Sequence, residues 1–310
     1  DRNLSRGLGD VYKRQVILQT KREMENDVVY STDQGKWVSD TDLVDAYTPA
    51  QVSALILKKL KEYTSDVKKV VITVPAMFAE KARQATLDAA KIADLEVIEL
   101  INEPTAAVLH YASLPGVEVG GRVMIFDLGG GTFDVTFAEV KNKKVDVLTS
   151  RGDKYLGGRD FDNEITKLMK KKYFDIHNVE IDIENNKQYL HKAEEVKKIL
   201  SVKDKANIEI NGPKGLQKIE ITQEEFEESI QTYIEKIKML IEEAMDASGM
   251  NPSRINQTLL VGGSTRMPII TKVLTQLMGK APVKGVNVDE AVVCGAAIYA
   301  GLKTEKETLS

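Results

Sequence analysis

Apolar and polar positions along this chain follow two periods, and the sharpest change between them falls at residues 123–137. Val123-Met124-Ile125-Phe126 is a continuous apolar run that ends at Asp127. Gly129, Gly130 and Gly131 follow, and after Thr132 the stretch 133–137 alternates apolar with polar. This predicts strand, tight turn, strand, with a carboxylate at the tip. Three successive glycines are costly in chain entropy, so the backbone is expected either to take positive φ or to let a ligand approach where a Cβ would collide. Peptide N–H groups turned outward from such a loop form a concave anion site suited to phosphate oxygens. Asp127 would repel a bare phosphate, whereas a bridging Mg²⁺ or its water shell turns the same carboxylate into an asset. A glycine-rich hairpin with a surface aspartate accounts for these residues equally well.

Upstream, residues 25–45 are polar, with strand-like pieces at Val28-Val29-Tyr30 and Lys36-Trp37-Val38. Thr48-Pro49-Ala50-Gln51 then supplies an N-cap, a proline at the first helical position and a capping-box glutamine. Val52, Leu55, Ile56, Leu60 and Tyr63 are expected on one face of that helix. Residues 69–74 form a β-branched strand stopped by Pro75, 79–93 a small-residue helix and 96–101 another strand. Asn102-Glu103-Pro104-Thr105 opens a helix off that strand, placing Glu103 where open α/β sheets collect site residues. The alternation predicts sheets flanked by helices.

A glycine-rich joint at 115–121 marks the expected lobe boundary, followed by three antiparallel strands at 122–128, 132–140 and 144–149. A second Gly/Asp loop at 152–160 leads into an amphipathic helix through Leu168. Residues 190–200 read as helical, with Glu194, Lys197, Lys198 and Ser201 sharing one side; a solvated charged face explains them without a ligand. A hairpin is predicted from 206–210 and 217–221, and Thr222-Gln223-Glu224-Glu225 caps a helix reaching about Ser248. At 258–268 an apolar strand runs into Gly262-Gly263, then Ser264 and Thr265, then a helix opened by Pro268. This is either a ligand-facing turn with Arg266 ready to stack on a ring or pair an anion, or an ordinary β–α turn. Asp289 is expected to N-cap a final helix over 290–302.

The chain has 310 residues, 42% hydrophobic and 29% charged, ample for two lobes with sizeable cores. Its net charge of −4 supplies no global basic field for nucleic acid or an anionic membrane. The single Cys294 excludes an internal disulfide framework and fits a reducing, cytoplasmic setting. It sits among small apolar residues, as a buried hydrophobe does. His110, His177 and His191 lack metal-ligand or triad spacing. No run approaches the roughly 20 apolar residues needed to span a bilayer. The basic opening, residues 1–15, has neither period and reads as a leader foreign to the fold.

Five ordered segments, at 101–111, 127–136, 152–163, 261–268 and 285–301, together resemble the nucleotide-binding domain of the heat-shock protein 70, or DnaK-type, chaperones. The likeness runs from about residue 16 to about 302. It implies the actin-like ATPase fold, α/β with two ribonuclease-H-like lobes: a partial lobe I over 16–116, and lobe II over 117–302 with a subdomain insert at about 158–230. ATP or ADP with Mg²⁺ and a K⁺ ion are the implied cofactors. By the resemblance, Asp127 orders Mg²⁺-bound waters and the attacking water, Glu103 is its acidic partner, Thr132 is a γ-phosphate-side hydroxyl and Lys21 reaches the γ-phosphate. Gly129, Gly130 and Gly131 bind phosphates, and Asp134 holds the monovalent cation. Glu194, Lys197, Lys198 and Ser201 contact adenosine from one side, and Gly262, Gly263, Ser264, Arg266 and Asp289 from the other. Pro75 and Arg83 match positions that couple nucleotide state to a partner domain.

Three departures stand beside the likeness, one being that Ala76-Met77-Phe78-Ala79-Glu80 after Pro75 differs from the family's aromatic and Asn-Asp pattern. The first phosphate loop of the family is not recognisable ahead of Lys21, so lobe I is expected to be incomplete. Residues 303–310 form a polar tail without the apolar interdomain linker, so unfolded clients are expected to bind only through a domain outside this sequence. The implied function is an ATPase switch in protein folding, with a J-domain co-chaperone near Arg83 and a nucleotide exchange factor on the insert. A binding module without turnover, or a sugar kinase or filament-forming actin relative, are the competing readings.

Overall fold

A computed structural model of the chain describes residues 20–43, 46–64, 67–141, 144–183, 186–284 and 286–308. The expected leader lies outside them, as do residue 285 of the last motif and the final two residues of the tail. The described residues form two compact units: one holds those up to Ile72 with Phe78–Leu100, the other Thr73–Met77 and those from Ile101 onward.

In the first unit, a short helix α1 (Thr20–Glu23) precedes three small antiparallel strands, β1 (Val29–Ser31), β2 (Lys36–Val38) and β3 (Ala46–Tyr47), in the order β2-β1-β3. Helix α2 (Pro49–Lys61) opens on the predicted capping box: Gln51 N donates to Thr48 Oγ1 at 3.2 Å, and Thr48 N donates to Gln51 Oε1 at 2.8 Å. Strand β4 (Lys69–Val74), helix α3 (Glu80–Ile92) and strand β5 (Glu96–Asn102) follow, with β4 and β5 paired. The buried face of α2 differs from the predicted one. Val52 is buried, but Leu55, Ile56, Leu60 and Tyr63 are exposed, and the packed side is Ala54 with Ala50 and Leu57 against Ala89 and Ala93. The neighbour decides this: α3 is alanine-rich, and two small-residue faces approach more closely than a leucine face would allow.

The second unit begins with α4 (Glu103–Ser113), then a meander of β6 (Gly121–Leu128), β7 (Phe133–Lys141) and β8 (Lys144–Asp153). Next come α5 (Gly158–His177), α6 (Lys187–Leu200), the hairpin β9 (Lys205–Gly212) and β10 (Gly215–Thr222), α7 (Gln223–Ser229), α8 (Gln231–Ser248), β11 (Gln257–Val261), α9 (Pro268–Met278) and α10 (Ala291–Thr308). Helix α5 outruns its predicted end because Ile165, Met169 and Tyr173 continue one buried face at i, i+4 spacing. The expected single helix after Thr222 is two, broken at Ile230. Strand β11 lies parallel to β6, which gives the order β11-β6-β7-β8.

Both faces of this sheet are covered, which is why β6 reads as an unbroken apolar run. Met124, Phe126 and Leu128 join Phe133, Val135 and Phe137 in a core with α5, α6, α8 and α9. Val123 and Ile125 face the other way, into a smaller core with Ala107, Val108 and Tyr111 of α4 and Ala291 of α10. By the same parity Asp127 falls on the α4 side, at the end of β6.

Candidate functional site

Register brings the acidic groups together. Asp127 pairs directly with Asp134 across the β6–β7 ladder and with Val261 on β11, so the two carboxylates share a face with Cβ atoms about 5 Å apart. Asp134 is buried, and its Oδ1 accepts from Ser150 Oγ at 2.5 Å and Thr136 Oγ1 at 3.3 Å. Its Oδ2, also buried, has no hydrogen bond of good geometry, and the nearby Met77 backbone N–H lends the carboxyl only weak support. Burial pushes the Asp134 carboxyl up to about 6; the hydrogen bond from Ser150 opposes this and the charge of Glu103 adds to it. Glu103 is the first residue of α4, so the helix that covers this sheet face also delivers the third carboxylate. An orphaned, desolvated oxygen beside further acids fits a cation. Among the described residues no three His, Cys, Asp or Glu side chains close into a metal cage.

Next to this corner lies the glycine loop. Gly129 N donates to Thr132 O at 3.0 Å and closes the turn. None of Gly129, Gly130 and Gly131 adopts positive φ, so that expected reason for the triplet does not hold. A Cβ on Gly130 would meet no atom of the chain within 4 Å; the loop borders open space. The first turn of α5 grips it from behind, with Gly158 N donating to Gly129 O at 2.9 Å and Arg159 N to Gly130 O at 2.8 Å. In a trans peptide the C=O and the following N–H point in opposite directions. The N–H group of Gly130 is thereby directed away from α5. Gly157 and Gly158 were not among the candidates from the sequence, yet a Cβ on Gly157 would lie 2.6 Å from the Gly131 carbonyl carbon. Their signal was a glycine doublet just ahead of a helix.

Beyond the loop opens a cavity of about 820 Å³, a size that suits a nucleotide-sized ligand. One wall is α6, with Glu194, Lys197, Lys198, Ser201 and Val202; the other is the turn after β11, with Gly263, Ser264, Arg266, Met267 and, further along, Asp289; Gly130 lies between. Glu194 pairs with Lys198 at 2.7 Å, and their mutual hydrogen bond holds the carboxyl below and the ammonium above its usual range. Lys197 is turned inward, its ammonium donating to Gly158 O at 2.7 Å and forming an ion pair with Asp162 Oδ1 at 2.7 Å. Asp162 is buried on α5 and raised by that burial, against the opposing charge of Lys197.

On the opposite wall Gly262 has φ +86°, and a Cβ there would come 2.4 Å from Leu128 O, so only glycine fits. Ser264 Oγ donates to Gly129 O at 3.1 Å and ties this turn to the loop. Arg266 forks onto Asp289 Oδ2 at 2.6 and 3.2 Å and onto Asn287 Oδ1 at 3.0 Å, which fixes the plane of its guanidinium. The expected capping role of Asp289 changes accordingly: α10 starts at Ala291, and the carboxylate serves Arg266.

The structure thus gathers Glu103, Asp127, Thr132, Asp134 and both cavity walls in one unit. Lys21 is exposed on α1 of the other unit. Pro75 is buried after β4, and Arg83 on α3 donates from Nε to Phe78 O at 2.9 Å. Among the described residues no helix is long and apolar enough to cross a membrane.

The sequence model of the family described as Hsp70 protein matches residues 2–309 of this chain. A "Chaperone protein dnaK" of Thalassiosira pseudonana is 38% identical over 304 residues, covering 94% of this chain and 50% of that protein. A "Chaperone protein DnaK" of Thermosipho africanus (strain TCF52B) is 38% identical over 320 aligned residues, covering 97% of this chain and 52% of that protein. The chain spans about half the length of these relatives.

Proposed function

Because this chain belongs to the Hsp70 family, we propose that it binds ATP and ADP in the cavity between α6 and the β11 turn and hydrolyses ATP at the acidic corner. One observation carries the reading. The carbonyl of Gly129 is tied back to α5, which aims the next N–H group, that of Gly130, away from it, and Gly130 borders the cavity.

Base and ribose would lie between Glu194, Lys198 and Ser201 on one wall and Gly263, Arg266 and Asp289 on the other. The phosphates would reach the N–H side of the loop beyond Gly129, foremost the Gly130 N–H group, and the Thr132 hydroxyl. Asp127 and Asp134 would hold Mg²⁺ and K⁺, which would supply neutralisation of the phosphate charge. Asp127 orients a water for attack on the γ-phosphorus, and Glu103 holds that water from the α4 side. The new O–P bond forms as the bond to the bridging oxygen breaks. That electron pair leaves on ADP, and the proton of the water passes to the released phosphate. Catalysis of this kind is positioning and charge stabilisation. Lys21 joins the set, as a γ-phosphate contact, on the sequence resemblance alone.

In the whole protein, turnover would switch affinity for unfolded clients held by another domain, in the cytoplasm. A J-domain co-chaperone would act near Arg83, and an exchange factor on the insert at about 158–230. Calorimetric titration with Mg-ATP and Mg-ADP, paired with phosphate release, tests the core of the proposal. Asp127→Asn is expected to slow release by about a hundredfold or more while leaving ATP affinity within about threefold. Equal turnover in the two proteins refutes the role of Asp127, and binding without turnover in both leaves a nucleotide-binding module.

A further inference from the structure

Lys197 lines the cavity on the helix read as contacting adenosine, and its ammonium is held by α5. It is 8% exposed and occupied by two groups of α5, the Gly158 carbonyl and the Asp162 carboxylate. Gly158 is also the residue whose N–H grips Gly129 O, and the same Gly129 oxygen accepts from Ser264 Oγ on the far wall. At this point three elements meet without slack. A Cβ on Gly158 would stand 2.4 Å from Ser264 Oγ, 2.9 Å from Lys197 Nζ and 3.5 Å from Gly130 Cα.

We infer that Lys197, with Asp162, is a positioning pair: a strut that fixes α6 to the first turn of α5 and, through Gly158, sets the distance between the base-side wall and the phosphate-side glycine loop. The linkage runs Lys197, Gly158, Gly129, Ser264, so both walls of the cavity are strapped to one peptide of the loop. Its consequence is thermodynamic coupling. A ligand bridging both ends, a nucleoside di- or triphosphate, gains from the preset spacing, whereas one filling only the base end does not. A lysine that touched adenosine directly would act on both ligands alike.

This deepens the proposed nucleotide site and rests on it, so the test has one arm that needs no ligand. In that arm, amide hydrogen exchange is followed at Gly158 and Arg159 in the full chain, in Lys197→Met, in Asp162→Asn and in the double variant. Loss of the strut is expected to speed exchange at these amides by about fivefold or more in both single variants. The double variant should be no faster than either, because one interaction is being removed twice. It also replaces both charges of a buried pair, which is the form that best retains folding if a single variant does not. Unchanged exchange at both amides in the folded variants overturns the strut. In the second arm, Asp162→Asn and Lys197→Met weaken Mg-ADP by about fivefold or more and leave adenosine within about twofold. Equal losses for ADP and adenosine in Lys197→Met, with none in Asp162→Asn, make Lys197 a ligand contact and overturn the inference. Absence of nucleotide binding by the wild type defeats the proposed function instead, and the exchange arm still decides the strut.

Discussion

The Asp134 carboxyl is the group whose environment makes the sharpest demand on solution behaviour. Its pKa rises from 3.8 to about 6 in the folded chain. The folded state therefore holds this proton more tightly than the unfolded chain does, and ionisation costs the fold. With the group ionised in both states, a displacement of that size costs about 3 kcal/mol. The cost is fully present above the folded value and is relieved as pH falls toward the unfolded one. Between about pH 7.5 and about pH 5 nearly half of it, about 1.4 kcal/mol, is recovered. Other carboxylates titrate over the same interval, so the useful quantity is a difference. Asp134→Asn keeps the shape and lacks the titration, and any packing cost of the amide is independent of pH. Urea unfolding in potassium-free buffer should show wild type gaining about 1.4 kcal/mol over Asp134→Asn as pH drops through that interval. Saturating K⁺ at the higher pH should shrink the gap, because a cation beside Oδ2 offsets the buried charge. Parallel pH profiles for the two proteins without K⁺ would show that the buried carboxyl is not destabilised, and the cation argument would fall with it.

Two further substitutions probe the scaffold of the site. Gly157→Ala places a methyl carbon 2.6 Å from the Gly131 backbone, so the loop must shift; Mg-ADP affinity, read by calorimetry, should fall by about tenfold or more, and unchanged affinity would mean the loop yields freely. Tyr111→Phe removes a fully buried hydroxyl that donates to Leu260 O at 2.7 Å and accepts from Leu260 N at 3.2 Å on the edge strand β11. Urea unfolding should register a loss of about 1–3 kcal/mol, and a change under half that size would show that water or a neighbour satisfies the freed groups.

Local chemistry was legible in the sequence because it is decided within a few residues. Both capping boxes, Thr48 with Gln51 and Thr222 with Glu225, depend on i, i+3 geometry alone and form as expected. The apolar run of β6, the glycine turn and the alternation of β7 are equally local, and a strand covered on both faces can hardly be written any other way. Tertiary structure decided which side chains face one another. Asp127 lies beside Asp134 only because Asp127 pairs with that residue and not with the next, and a slip of one position would turn Asp134 to the opposite face. The four charged or polar residues of α6 share a side in the sequence. Only the position of α5 turns the Lys197 ammonium inward while Lys198 stays with Glu194. The same holds for α2, whose leucines promised the core until an alanine-rich neighbour selected the smaller face. Periodicity and capping are properties of one segment, whereas the partner of a buried charge or the packed side of a helix is a property of two, and the second is brought there by the fold.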